Sequence, residues 1–367
     1  AQVDVAQASR RGVRAPTAAM PLSAPVTAVA VESCAGRMGR AAVASMQGAR
    51  SHFEDAHLLD QDRGFCAVFD GHLGDEAAAF CAERLALHVQ AQGAPSPTSL
   101  RAAFAACDAE MRGALPAGSE AGTTAAFAVV RADAADAGNL RVLVANCGDS
   151  RAVLWRRGDS AGDGDIVATR DHRPDDAAER RRIEAAGGAV SEEFDPPRID
   201  GQLACSRALG AFAYKRDASL AQGDQKVSPV PDIYEWTARR GDWLVLASDG
   251  VWDTLSSDTV ASEVRKANGS DLGATVAAVL DLCIKKEADD NLTLVAVELG
   301  ASAPEATERT ATMSHGGFLR TKDQEVLGAY AAFCLRFGFA LSKEMNPKAP
   351  PAAALAAAAP APGPRFD

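Results

Sequence analysis

The chain has 367 residues, 47% hydrophobic and 24% charged, a globular composition long enough for one large domain or two ordinary ones with a sizeable core. Its net charge of -11, from 38 basic against 49 acidic side chains, argues against a nucleic-acid binder that works by phosphate neutralisation, and a phosphorylated ligand would need local cations to offset the field. No run reaches the roughly 20 apolar residues of a membrane span, and eight scattered cysteines with no Cys-x-x-Cys pair read as buried thiols of a reducing compartment.

Residues 1–36 read as a disordered or targeting segment. Its first thirty residues are rich in Ala, Ser, Pro and Val, with Arg10, Arg11 and Arg14 against the one acid Asp4. Disorder accounts for this more simply than a transit peptide. The expected location is cytoplasm or nucleus, with organelle targeting as the alternative.

Residues 37–300 carry the regular pattern. Arg37–Asp60 reads as a strand pair or bent strand, and the apolar Phe65–Phe69 as a short buried strand that delivers Asp70, Gly71 and His72 to its end. Gly74–Gln92 and Ser99–Met111 show helical spacing, the first stopped by Gly93-Ala94-Pro95. Gly122–Val130 and Leu140–Asn146 are β-rich and joined through Gly138-Asn139, a hairpin signal. Ala152–Trp155 continues as strand after the turn Asp149-Ser150-Arg151, and Arg156–Asp165 is a polar, Gly-rich loop. Asp175–Ala186 reads as an Arg-rich helix with Asp at its start and Gly187-Gly188 at its end. Asp242–Ser248 is an apolar strand ending at Asp249-Gly250, the same design as Asp70-Gly71. Two more helices, Asp258–Ala267 and Leu272–Glu287, precede a last strand, Asn291–Leu299. Residues 301–345 are a linker and an amphipathic helix around Asp323–Leu341, whose stripe of Val326, Tyr330, Phe333 and Phe337 suits docking on the core. Residues 346–367 form a Pro/Ala-rich tail, expected to be disordered.

Asp70, Asp249 and Asp290 each end or begin an apolar strand, and Glu54 lies just before another strand turn. Carboxylates repel one another, so gathering them at the rim of a core is costly unless cations neutralise them. A set of oxygen ligands without His or Cys points to a hard ion, Mg²⁺ or Mn²⁺, rather than Zn²⁺. Two such ions suit in-line displacement at phosphorus. Gly71 lets the backbone approach a cation closely enough to add a carbonyl ligand. Arg50, four residues before Glu54, suits a bidentate grip on phosphate, and His72 can move a proton near neutral pH.

Ordered motifs then carry a family resemblance. Ser45-Met46-Gln47-Gly48-Ala49-Arg50-Ser51-His52-Phe53-Glu54-Asp55-Ala56-His57 resembles the opening motif of the metal-dependent protein serine/threonine phosphatases, the PPM or type 2C family. Val68-Phe69-Asp70-Gly71-His72, Gly122-Thr123-Thr124-Ala125 and Asn146-Cys147-Gly148-Asp149-Ser150-Arg151 follow in family order. So do Asp171-His172-Arg173-Pro174, Arg182-Ile183-Glu184-Ala185-Ala186-Gly187-Gly188 and Ser206-Arg207-Ala208-Leu209-Gly210. Ala247-Ser248-Asp249-Gly250-Val251-Trp252-Asp253 and Asp290-Asn291 complete the set within residues 37–299.

The resemblance implies an α+β fold, a four-layer αββα sandwich of two packed antiparallel sheets flanked by helices, with metals at one rim and a flap over roughly residues 173–205. It implies two Mg²⁺ or Mn²⁺ ions bridged by Asp70, one completed by Glu54 and the Gly71 carbonyl, the other by Asp249 and Asp290. Asp149 and Asp253 match acids that, with Asp249, hold a weaker third ion. Arg50 would bind the substrate phosphate, His72 would protonate the leaving Ser or Thr oxygen, and a metal-bridging water would attack directly. Partners would be phosphorylated proteins, met by a monomer. Two departures stand out: Leu73 where the family usually repeats Gly, and Ala211 where it has Asp.

Two rivals are weighed beside this reading. Cys34 and Arg40 have the Cys-x5-Arg spacing of thiol-based phosphatases, but the glycines are out of place and no His precedes the Cys. A catalytically weak family member that acts as a phosphoprotein-binding scaffold is the other, and retention of the acids and Arg50 speaks against it. Arg180-Arg181-Arg182 is read as an exposed helix face rather than a site for acidic substrate. Asp163-Gly164-Asp165 lacks the glutamate of a calcium loop, and His52, His57, His88 and His315 are read as structural or solvated.

Overall fold

Strand residues alternate between faces, so a strand covered on both sides must be apolar nearly throughout. The computed structural model describes residues 21–134, 136, 138–158, 164–267, 270–300, 309–314 and 323–339, and it shows this at β16 (Leu292–Leu299), where seven of eight residues are buried. A seven-stranded antiparallel sheet runs in the order β10 (Gly164–Ala168), β9 (Arg151–Arg157), β15 (Trp243–Ala247), β16, β2 (Gly39–Gly48), β1 (Val26–Gly36), β17 (Thr310–Ser314). A five-stranded antiparallel sheet runs β14 (Asp232–Arg239), β8 (Asn139–Cys147), β7 (Ala125–Ala132), β4 (Phe65–Phe69), β3 (Ala56–Asp60). The expected tail at 346–367, the first twenty residues, Asp163, His315 and Leu341 lie outside the described residues.

The two sheets face each other across a core that includes Val43, Val68, Val142, Val144, Leu154, Leu246 and Val295. Helices α1 (Glu76–Ala91) and α2 (Pro97–Ala114) cover the outer face of the five-stranded sheet through Cys81, Leu85, Leu100 and Phe104. On the seven-stranded sheet, α5 (Ser257–Arg265) and α6 (Leu272–Lys285) do the same through Val260, Val264, Val276 and Leu280. This is the four-layer αββα sandwich. Helix α2 starts earlier than its spacing alone suggests because Pro97 sits at its first turn and Ser96 and Ser99 form a reciprocal capping box.

Smaller elements sit at one rim. β5 (Gly71–His72), β6 (Gly122–Thr123) and β13 (Leu209–Gly210) form a three-stranded patch, and α4 (Asp249–Trp252) follows β15 directly. The flap contains α3 (Ala177–Ala185) and the two-stranded ribbon of β11 (Val190–Ser191) and β12 (Arg198–Ile199), around its own apolar knot of Ile183, Ile199, Leu203, Cys205 and Val227. The side-chain cap expected from Asp at the start of α3 is not made, and the last residues of the expected Arg156–Asp165 loop pair with β9 as β10.

The N-terminal boundary at residue 37 needs correction. Residues 26–36, expected to lie in a disordered or targeting segment, form β1, with Val26 and Ala28 fully buried and a register against β2 that pairs Val29 with Met46 and Val31 with Ala44. β17 pairs with the other edge of β1, and α7 (Gln324–Arg336) packs Val326, Tyr330 and Phe333 against Val26, Ala28, Ala30 and Phe53. The helix docks as its stripe suggested, and it ends at Arg336, with Gly338 at a φ of 77° just beyond. A chain truncated to begin at Met38 is therefore expected to lose its cooperative thermal transition, because β2 and α7 both lose the strand they pack on. An unchanged melting curve would contradict the placement of β1.

Candidate active site

The rim where β2 and β4 end, β16 begins and β15 passes into α4 gathers the acids. Asp70 follows β4, Asp249 follows β15, and Asp290 precedes β16 by two residues. The backbones come so close that glycine is required at several points. A Cβ on Gly71 would stand 2.3 Å from the Glu54 carbonyl oxygen, and one on Gly250 would stand 2.2 Å from that of Asn291 and 3.0 Å from the Asp290 Cβ. Asn291 ties the rim together. Its side-chain oxygen accepts from the Glu54 N–H at 2.9 Å, and its amide donates to the carbonyls of Gln47 at 2.8 Å and His52 at 3.0 Å.

The Gly-Thr-Thr motif acts on Asp70. The Thr124 N–H and the Thr123 hydroxyl both donate to the Asp70 carbonyl, at 2.9 and 3.1 Å. The Asp70 N–H in turn donates to the Thr124 hydroxyl at 3.3 Å, and that hydroxyl is shared with Ser150 at 2.6 Å. The backbone of Asp70 is thus held while its carboxyl is left to face the other acids.

Electrostatics identify the cluster. Burial pushes the Asp70 carboxyl well above the usual range, and Asp249, Asp55, Asp290 and Asp149 raise it further. Asp249 is raised by burial and then by Asp290, Asp149 and Asp253, and its carboxyl lies within hydrogen-bonding reach of Asp70. Burial also raises Asp290 and Glu54, opposed in each case by Arg50. Gly74 donates its N–H to Glu54 Oε1 at 2.7 Å, and Arg50 Nη2 meets Asp290 Oδ2 at 2.5 Å. Burial alone would lower Arg50, but Asp290, Asp249, Asp70 and Asp289 hold its guanidinium in the charged form.

Asp149 and Asp253 join the rim with a counter-ion of their own. Asp149 is raised to about 7 by burial and by Asp171 and Asp253, against the pull of Arg173, whose Nη2 donates to Asp253 Oδ1 at 2.7 Å. His72 differs from its sequence reading. Its Nε2 is buried without a hydrogen-bond partner and packs over Gly122, and burial followed by the charge of Lys215 pulls its pKa down to about 4. The ring is neutral at pH 7 rather than poised there.

Sequence reasoning missed Asp55. It is 1% exposed, accepts the Ser248 hydroxyl at 3.0 Å, leaves Oδ1 buried without a hydrogen bond, and is raised to about 7 by burial and Asp290. The signal was present as the acidic pair Glu54-Asp55.

Both family departures fall where the backbone turns left-handed: Leu73 at a φ of 59° and Ala211 at 48°. A side chain there costs about 1 kcal/mol relative to the right-handed region. The Cys34–Arg40 pair sits on adjacent strands, where Ala35 opposes Arg40 and Cys34 opposes Ala41, so no loop cradles an anion. Burial raises the Cys34 thiol, and Arg40 is spent on Glu298 at 2.5 Å. All eight cysteines are free thiols.

The flap contains a buried charge knot. Glu179 accepts Arg182 Nη1 at 2.6 Å, the Ser206 hydroxyl at 2.7 Å and Arg207 Nη2 at 2.7 Å, and Arg207 reaches on to Asp232 at 2.8 Å. Arg182 is therefore not part of an exposed helix face, whereas Arg180 pairs with Glu192 at 2.6 Å.

The acids fit a hard dication in their chemistry: oxygen donors only, mutually repelling, and buried. Among the described residues, no three of them are closed into a ready cage. They turn instead toward Arg50, Arg173 and one another.

Comparison with known proteins gives this arrangement its family. Residues 39–292 match the family model described as Protein phosphatase 2C. "Probable protein phosphatase 1N" of Mus musculus is 39% identical over 279 residues, covering 71% of this chain and 64% of that protein. "Protein phosphatase 1B" of Rattus norvegicus is 33% identical over 302 residues, covering 75% of this chain and 73% of that one. A crystal structure of a phosphatase from Toxoplasma gondii superposes with a TM-score of 0.68 at 28% identity, covering 78% of this chain and 99% of that one. The chain belongs to the protein phosphatase 2C family.

The Glu179 knot yields a pH prediction. Burial opposes its ionisation, but the bonds from Arg207 and the charge of Arg182 win and bring it from 4.5 down to about 2. A depressed carboxylate stabilises the fold above its unfolded pKa and loses that contribution as pH falls through the folded one. Glu179→Gln is expected to lower the urea-derived stability at pH 7 by roughly 2–4 kcal/mol. The variant should also lose part of the wild type's decline between about pH 4.5 and 2. Parallel pH–stability curves would contradict the assignment.

Proposed function

We propose that the chain is a Mg²⁺- or Mn²⁺-dependent phosphatase of phosphoserine and phosphothreonine in proteins. The observation that supports this best is the convergence of Asp70, Asp249 and Asp290 beside Glu54, with one arginine, Arg50, facing them. Asp70 would bridge two ions, Glu54 and the Gly71 carbonyl would complete the first, and Asp249 and Asp290 the second, with Asp149 and Asp253 available to a weaker third. Bound there, the ions would offset the acids' repulsion, polarise the phosphoryl group and supply an activated water for direct in-line attack.

The protein's own groups do the rest. Arg50 is charged at any working pH, and its fork can exchange one Asp290 oxygen for two phosphate oxygens. A phosphate dianion in front of His72 would raise the ring's pKa from about 4 and draw a proton onto it, which the ring could pass to the leaving serine or threonine oxygen. Thr123 and Thr124 keep Asp70 aimed during turnover, and the flap forms the wall of the cleft. A cysteine-dependent route is unsupported, since burial drives Cys34, Cys66, Cys147 and Cys283 upward, the last three to about 12.

The test is hydrolysis of p-nitrophenyl phosphate and of a phosphothreonine peptide with Mn²⁺. Asp249→Ala is expected to lower kcat by more than about 100-fold, EDTA to abolish turnover, and a thiol alkylator to leave it intact. A folded wild-type protein that binds the phosphopeptide without hydrolysing it would overturn the enzymatic reading in favour of the scaffold.

A further inference from the structure

Arg336, the last residue of α7, lies outside the 39–292 stretch that matches the family, yet its guanidinium reaches into the site. Nη1 donates to the Phe53 carbonyl at 3.0 Å and Nη2 to the Asp55 carbonyl at 2.9 Å, the residues on either side of Glu54. Nη1 also forms an ion pair with Asp75, the residue after Gly74, whose N–H holds the Glu54 carboxylate. The guanidinium lies 5.2 Å from the Phe53 ring centroid, and that ring meets Phe333 edge-on at 5.1 Å and Phe337 at 5.7 Å. The Arg336 side chain is 18% exposed.

From this geometry we infer that Arg336 is a positioning residue: it fixes the orientation of Glu54 by gripping both halves of that residue's cradle at once. One half is the backbone on each side of Glu54. The other is the turn leading into α1, where Gly74 supplies the N–H to its carboxylate and Asp75 pairs with Arg336. On the opposite side the same segment is held by Asn291, through the Glu54 N–H and the His52 carbonyl. With both grips in place, the Glu54 carboxylate can move little relative to Asp70 and Asp290. A planar fork is needed, because a lysine cannot address two carbonyls and a carboxylate in three directions with a rigid geometry. The C-terminal helix is thereby part of the site through the Arg336 side chain.

The inference rests on Glu54 serving as a cation ligand, as proposed above, so the experiment measures binding apart from turnover. Mn²⁺ affinity is titrated calorimetrically on the full chain for the wild type, Arg336→Ala, Arg336→Lys and Val326→Ala, with thermal unfolding alongside. Val326 is buried in the first turn of α7, in the same apolar cluster as Phe53, and makes none of the polar contacts of Arg336, so it reports the apolar docking of the helix apart from that grip. Arg336→Ala is expected to weaken Mn²⁺ binding by about 10- to 100-fold, as loss of a ligand's supporting partner does. Arg336→Lys should fall between it and wild type, and Val326→Ala should lower Tm while keeping the wild-type affinity. Should Arg336→Ala fail to fold, Arg336→Lys decides on the same criterion. Wild-type Mn²⁺ affinity in both Arg336 variants would overturn the inference and leave the phosphatase reading intact. A wild type that binds no Mn²⁺ would instead remove the reading on which it rests.

Discussion

Buried carboxylates placed side by side repel one another and each resists ionisation, and this constraint organises one whole rim of the sandwich. Asp70, Asp249 and Asp290 are each pushed up by burial and by their acidic neighbours, while Arg50 is held charged by all three. No packing gain explains such a gathering, because apolar residues of similar size would fill the rim at lower cost. The arrangement makes sense as an assembly that awaits positive charge. Everything nearby serves to hold it: glycines where backbones nearly touch, the Thr123–Thr124–Ser150 network under Asp70, and Asn291 bridging three segments.

The sandwich supplies the rigidity this demands. Strands buried on both faces lock their register, since a slip of one residue would exchange the core face for the helix-covered face. The strand ends are therefore fixed relative to each other, and residues from distant parts of the chain meet there reproducibly. Arg173 and Lys215 add a second layer of charge control, one beside Asp253 and Asp149, the other acting on His72. Lys215 is itself locked into a buried pair with Asp108 at 2.6 Å.

Much of this was legible in the sequence because the motifs place acids directly at the ends of apolar runs. Phe65–Phe69 leads to Asp70, and Trp243–Ala247 leads to Asp249, so unbroken apolar burial and the site could be read together. Less was legible where a role depends on a partner remote in the chain. Nothing in the residues around His72 announces Lys215, which lowers its pKa from another element. Val26–Gly36 falls within the segment expected to be disordered or targeting because the Ala-, Ser-, Pro- and Val-rich composition of residues 1–30 masks a strand that exists through pairing with β2 and β17. Nothing in the sequence around Arg336 points to the site, and only the packed structure shows it gripping the carbonyls of Phe53 and Asp55. The departures at Leu73 and Ala211 were visible by position, and the backbone shows what they share: both sit at positive φ, where a family glycine or a short polar residue is more at ease.

The proposed function requires the acids at this rim to share divalent cations. Anomalous diffraction from a crystal grown with MnCl₂ tests it most directly. Strong Mn peaks bounded by Glu54, Asp70, the Gly71 carbonyl, Asp249 and Asp290 are expected. Peaks confined to other carboxylates, with this rim left in its present ion pairs, would contradict it.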